Sequence, residues 1–110
     1  MTDIFPEPIR SLPLADIPFA GCTAYLSQAD THQIVFWQFD RDVDVPEHSH
    51  AAQWGMVVEG SIEMTIGGVT RTYTKGDHYT IPAGVRHRAK VYAGYADITF
   101  FDQKDRYHAL

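Results

Sequence analysis

His48-Ser49-His50 places two imidazoles two residues apart. On an extended segment residues i and i+2 project to the same side, so both rings can reach one metal ion. A third imidazole, His87, closes the stretch Gly76-Asp77-His78-Tyr79-Thr80-Ile81-Pro82-Ala83-Gly84-Val85-Arg86-His87. Pro82 and Gly84 set a tight turn, and the turn aims His87 back across a sheet. Gln53 lies between the two halves and is separated from Gly60 by six residues. The remaining histidines have less claim on chemistry. His78 sits on a segment whose side chains point either in or out, His32 lies in a predicted turn beside Thr31 and is solvated, and His108 in the tail has no role.

Short strands must carry these residues. Gln33–Phe39 is β-branched and aromatic, and too short for a typical helix. Trp54–Glu59 is a second apolar run, closed by Gly60. Ile62, Met64 and Ile66 alternate with Ser61, Glu63 and Thr65, a period of two, and Gly67-Gly68 is a hairpin signal before Val69–Thr74. His78–Ile81, Arg88–Tyr92 and Tyr95–Phe101 complete the series, with Gly or Pro turns between. Many short strands without a long amphipathic helix point to an all-β sandwich or barrel. Residues 1–20 form a proline-rich arm, with Pro6, Pro8, Pro13 and Pro18, and are predicted to be extended. The arm's apolar residues need a surface, either its own barrel or a second subunit. Residues 102–110 are a tail of short helix or coil.

Composition excludes several partners. With 110 residues the chain is one domain. Nine Lys and Arg against fourteen Asp and Glu give a formal charge of −5, and the basic residues are dispersed, which argues against nucleic acid. The one basic run, Arg86 to Lys90, reads as a solvated strand edge or as a grip on an anion. Cys22 is the single cysteine, so no internal disulfide forms. No apolar run approaches the ~18 residues of a membrane span. The N-terminus has neither a basic n-region nor an apolar h-region, and the expectation is a cytoplasmic protein.

Taken in order, the two histidine-bearing stretches resemble the two motifs of the cupin superfamily, G-x5-H-x-H-x3,4-E-x6-G and G-x5-P-x-G-x2-H-x3-N. Only 15 residues, 61–75, separate Gly60 from Gly76. The resemblance covers roughly Val43 to Phe101 and implies a single small antiparallel β-barrel, a double-stranded β-helix jelly roll, over residues 21–101. It implies one divalent transition metal (Zn, Fe, Ni, Mn or Cu) near the barrel centre, held by His48, His50, Gln53 and His87. The sequence departs from the motifs in three places. Asp42 stands for the opening Gly, Gln53 for the Glu after a loop shortened to two residues, and Val91 for the final Asn. Trp54, at the uncorrected spacing, cannot ligate. Three neutral imidazoles and a neutral amide leave the full charge on an ion, which favours an anionic small-molecule ligand.

In such a barrel one face of Tyr95–Phe101 looks toward the metal cavity, carrying either Asp97, Thr99 and Phe101 or Ile98 and Phe100. An interior Asp97 near a cation is a candidate general base. The chain is also similar to the short cupins that linearise unsaturated uronates, in its size, in the Ser between the two histidines, in the Gln and in Gly55. Their pattern of D-x-F followed by an Arg in the tail meets Thr99 and Phe101 here, with Arg106 out of step as the tail cation. Thr99, Phe101 and Arg106 are thus the substrate-binding candidates and Asp97 the catalytic one.

These readings converge on a metal-dependent enzyme acting on a small oxygenated acid or sugar derivative, of isomerase, lyase or dioxygenase type. The alternative is a non-catalytic small-ligand-binding or sensing module. A mainly structural barrel is the third reading. A homodimer is expected, because a small core gains from partner burial and relatives of this kind commonly dimerise.

Overall fold

The computed structural model describes residues 3–110. It contains a helical turn, α1 (Glu7–Arg10), then β1 (Cys22–Gln28), β2 (Gln33–Phe39), β3 (Val43–His48) and β4 (Gln53–Glu59). There follow β5 (Ser61–Ile66), β6 (Val69–Thr74), β7 (His78–Ile81), β8 (His87–Val91) and β9 (Ala96–Phe101). Every strand pairing is antiparallel. The strands form a five-stranded sheet in the order β1-β2-β9-β4-β7 and a four-stranded sheet in the order β3-β8-β5-β6. The all-β expectation holds, and two sheets facing one another enclose the jelly-roll interior.

The alternation read from the sequence sorts side chains between interior and exterior. In the five-stranded sheet Ala24, Leu26, Val35, Trp37, Val57 and Tyr79 are buried inward. Ile62, Met64 and Val91 meet them from the other sheet. Turn chemistry agrees with the strand ends. Gly67 and Gly68 both have positive φ (55° and 84°), as a two-residue β5–β6 hairpin requires. Gly60, at the β4–β5 junction, has φ 74°, and a Cβ there would lie 2.8 Å from Tyr95 Cα.

The arm departs from the expectation of an extended segment. Pro6 caps α1 and Pro8 lies in its first turn, where backbone N–H groups lack intrahelical partners in any case. Glu7 in the first turn and Arg10 in the last complement the helix dipole. Of the two surfaces open to the arm, it takes its own barrel. Buried Phe5 packs edge-on against Tyr25 (6.4 Å between centroids) and Phe36 (5.5 Å). Farther along, Leu14 bridges to Tyr25 and Ala15 to Ala109, so the arm also pins the tail, which is irregular rather than helical.

Gly60→Ala is expected to cost about 1–3 kcal/mol, because it combines a positive φ with a clash against backbone that cannot yield. Urea unfolding should show a lower midpoint at unchanged slope, and a loss below about 0.5 kcal/mol would contradict the assignment.

Candidate metal centre

Three elements bring the histidines together. His48 ends β3 directly opposite His87, the first residue of β8, just past an irregularity in the β3–β8 register. His50 follows in the loop, and its carbonyl accepts from Gly84 N at 2.9 Å, so the Pro82–Gly84 turn is tied to it. The ring centroids lie 4.2 Å (His48–His87), 4.8 Å (His50–His87) and 5.2 Å (His48–His50) apart. One ring nitrogen from each falls within 4.8 Å of the others.

The outer ring nitrogens decide what the inner ones can do. Nδ1 of His48 faces Pro46 O at 2.8 Å, Nδ1 of His50 faces Ala51 O at 2.7 Å, and Nδ1 of His87 faces Val85 O at 2.9 Å. A carbonyl only accepts, so each Nδ1 carries a proton and donates it, and each neutral ring keeps a lone pair on Nε2. His50 Nε2 and His87 Nε2 then confront one another at 3.2 Å, lone pair against lone pair. Two nitrogens each about 2.1 Å from a shared ion, at angles near 90–109°, lie about 3.0–3.4 Å apart. The donor set therefore fits a divalent transition metal, and imidazole alone does not choose among Zn, Fe, Ni, Cu and Mn. Burial, chiefly, lowers the pKa of His50 to about 4, opposed by its bond to Ala51 and reinforced by the charge of Arg106. Burial also lowers that of His87. Both rings are neutral near pH 7, so a metal need not displace protons from them.

Strand parity settles which β4 residue looks inward. Gln53 opens the strand and lines the cavity, whereas Trp54 is on the opposite face. Gln53 Nε2 donates to Tyr79 Oη at 3.5 Å, a long bond that leaves the amide oxygen as the group able to ligate.

On β9, Asp97, Thr99 and Phe101 face inward, and Ile98 and Phe100 outward. Asp97 is 3% exposed and accepts from three hydroxyls: Tyr95 Oη at 2.6 Å, Tyr79 Oη at 3.0 Å and Thr99 Oγ1 at 3.0 Å. Burial raises its pKa to about 6, with the three donors holding it from going higher. Gly55 permits this arrangement. It pairs with Tyr79 on one side and Thr99 on the other, and a Cβ there would collide with Tyr79 Cζ and Oη. The two tyrosines are functional candidates that sequence reasoning missed. The inward parity of Tyr79 with Ile81 was the available signal for one, and the shared parity of Tyr95 with Asp97, Thr99 and Phe101 for the other.

Arg106 and Tyr107 close the same cavity, of about 640 Å³, from the tail, together with Phe19 from the arm. The Arg106 guanidinium lies 4.6 Å over the Tyr107 ring. Its Nε is shielded from solvent, and among the described residues nothing accepts from it. Phe101 stands edge-on to His50 at 5.6 Å. Of the other histidines, His108 lines the same cavity from the tail, against the expectation that it has no role, and two lie outside the cavity. His78 points outward, stacked on Trp54 (6.2 Å), and His32 is half-buried against Phe100 (4.7 Å) rather than solvated. The basic run resolves into Arg86, paired with Glu47 at 3.2 Å, and exposed Arg88 and Lys90.

Asp97 has a consequence for stability. Its folded pKa lies above its unfolded value of 3.8, so its contribution is fully present below that value and is lost as pH rises through about 6. The loss is about 3 kcal/mol. In metal-free protein, Asp97→Asn should gain on the wild type by about that amount between pH 4 and 7, read by urea unfolding at each pH. A pH-independent difference would refute the shift.

A search of curated proteins found no match. Among solved structures, a RmlC-like cupin from Shewanella frigidimarina superposes with a TM-score of 0.75 at 24% identity, covering 94% of this chain and 95% of that one. KdgF from Halomonas sp. gives 0.70 at 23% identity, covering 83% and 87%. Oxalate decarboxylase from Bacillus subtilis, a protein with Mn(II) centers, gives 0.74 at 18% identity, with 93% of this chain matching 31% of that one. At these identities the likeness shows the fold alone. The family model for the cupin domain (Cupin_2) matches residues 36–100, more than half of the chain, and the protein therefore belongs to the cupin family.

Proposed function

We propose that this cupin is a metalloenzyme acting on a small oxygenated acid or sugar derivative by moving a proton, in isomerase or lyase fashion. One observation carries the reading: a single cavity is lined by three convergent imidazoles, a buried carboxyl with a pKa near neutrality and an arginine with an unused donor. His48, His50 and His87, with the amide oxygen of Gln53, hold the ion. When bound, a divalent metal supplies Lewis-acid polarisation of a substrate oxygen.

The chain's own residues do the rest. All four ligands are neutral, so the site accepts a carboxylate as its charge-balancing group. Arg106 offers Nε–H to that carboxylate, a charge-assisted bond that also orients it. Asp97 would take a proton from a carbon or hydroxyl of the bound acid and return it to another atom of the same molecule in an isomerisation, or to the departing oxygen in a lyase step. A pKa of about 6 suits both directions near neutral pH. Tyr79, Tyr95 and Thr99 fix the carboxyl's orientation, and Thr99 occupies the position where the uronate-linearising pattern has its Asp. Phe101, Trp37 and Tyr107 make the walls apolar and limit water. A proton-active carboxyl lining the same cavity as the histidines favours this chemistry over dioxygenation.

Purified protein should contain about one transition metal per chain by elemental analysis, and His48→Ala/His87→Ala should lose it. Retained metal in the double variant would sink the assignment. A thermal-shift screen of small carboxylic and uronic acids, with and without the metal, should find ligands that stabilise only the metal-loaded protein. Arg106→Gln should weaken them about tenfold or more while leaving the metal in place. An acid that binds tightly and is recovered unchanged after long incubation would support the sensing module instead.

A further inference from the structure

Strand register divides the cavity into a polar end and an apolar body. On β8 the inward residues run His87, Ala89, Val91, and on β5 they meet Ile66, Met64 and Ile62 in turn. Past His87 the four-stranded sheet therefore presents side chains with no N–H or O–H, and it does so over about 13 Å of strand. From the other sheet β2 brings Trp37 and Phe39, their rings stacked at 5.8 Å, and Tyr107 stands edge-on to Trp37 at 5.4 Å. Ala89 reaches least far into this space. It stays half-buried although it points inward, so free volume lies in front of it.

The polar groups do not serve that body. The charge of Arg106 is felt by His50 and His87, which puts the guanidinium at the imidazole end. The hydroxyl hydrogens of Tyr79, Tyr95 and Thr99 are all directed to Asp97, which leaves none of them to donate to a guest. Asp16, Asp44, Arg88 and His108 also line the cavity, but they are exposed and lie at its opening.

We propose that the acid bound by this site carries a planar apolar ring, as an arylacetic acid does, with its carboxylate at Arg106 and the histidines and its ring between Trp37 on one sheet and Met64 and Ala89 on the other. This rests on the functional reading above and narrows it from oxygenated acids and sugar derivatives to aromatic acids. A sugar acid bears a hydroxyl on nearly every carbon, and those turned toward β5 and β8 would be buried without partners. An apolar ring leaves nothing unanswered there and gains from leaving water. A planar ring also suits an aromatic wall, by offset or edge-on contact, and the flexible Met64 thioether can follow its outline. Size agrees, because a cavity of about 640 Å³ is far more than an acid as small as acetate fills. The most acidic C–H of an arylacetic acid lies between ring and carboxyl, a proton of the kind the proposed reaction moves.

Calorimetric titration of the full chain, reconstituted with Zn(II), compares phenylacetate, glucuronate and acetate. Phenylacetate should bind at least about tenfold more tightly than either of the others. Ala89→Leu, which fills the free volume, should weaken phenylacetate at least about tenfold and leave acetate binding and metal content unchanged. Met64→Gln puts an amide on the apolar wall at nearly the same length and should reduce the preference for phenylacetate over glucuronate at least about tenfold. Circular dichroism reports whether each variant folds, and the wild-type comparison decides without them. Glucuronate bound as tightly as phenylacetate overturns the proposal and leaves the metalloenzyme reading intact, as does phenylacetate bound no better than acetate. Unchanged selectivity in both folded variants overturns it too, because the ring then lies elsewhere. Metal-free protein that keeps the same affinity and preference supports the aromatic class while the metal-dependent reading fails alone. No binding of any of the three overturns the proposal, and elemental analysis still decides the metal centre.

Discussion

Two nitrogen lone pairs held face to face at 3.2 Å are the constraint around which the structure is arranged. Left alone the contact is repulsive, and both rings are prevented from relieving it. Their Nδ1 protons are committed to backbone carbonyls, and burial keeps them from taking a second proton at neutral pH. A shared cation converts the repulsion into ligation. The carbonyls that enforce this belong to Ala51 and Val85, in the loop after β3 and the turn before β8. The Gly84-to-His50 hydrogen bond ties these two segments together. The irregularity before His48 serves the same end, because it lets His48 and His87 stand opposite one another on neighbouring strands.

Strand alternation then distributes the remaining chemistry. One register places Gln53, Asp97 and Thr99 inside and Trp54, Met56 and Phe100 outside. A slip of one residue in β9 would turn Asp97 out of the cavity, and one in β4 would turn Gln53 out and Trp54 in. Gly55 has no side chain to alternate, and that gap is where the Tyr79 ring lies as its hydroxyl reaches Asp97. The same glycine explains how the Tyr79 hydroxyl on β7 can join those of Tyr95 and Thr99, at and on β9, around one carboxyl.

Much of this was legible in the sequence, for physical reasons that can be named. The three histidines could be found because a period of two and a Pro-Gly turn are local rules that survive folding. The β5–β6 hairpin was legible for the same reason. Gln53 could be separated from Trp54 by spacing from Gly60, and the parity of β4 agrees. What escaped was non-local or compensatory. The bond of Tyr79 to Asp97 depends on sheet order, which no single segment encodes, whereas that of Tyr95, two residues before Asp97, follows strand parity and was overlooked. The helical turn at Glu7–Arg10 escaped because proline disfavours helix interiors yet is compatible with a first turn. His32 was misjudged because its turn brings it onto Phe100, far along the chain.

Asp97 is the residue whose presence folding alone least explains. Ionising it inside the barrel costs about 3 kcal/mol of stability at neutral pH, in a domain of this size whose whole margin is about 5–15 kcal/mol. The three hydroxyl donors reduce that cost without removing it. Asn would accept from two of the hydroxyls through its oxygen and donate its amide to the third, turned to accept, with no ionisation penalty. A buried acid that weakens its own fold, shares a cavity with a metal-fitting cluster and titrates near neutrality has the properties of a proton-transfer group rather than of a structural one. Arg106 argues the same way from the opposite charge. A shielded guanidinium nitrogen with no acceptor is costly until something anionic enters. Under the proposed function the two groups are answered by one molecule, an anionic group meeting Arg106 and a labile proton meeting Asp97.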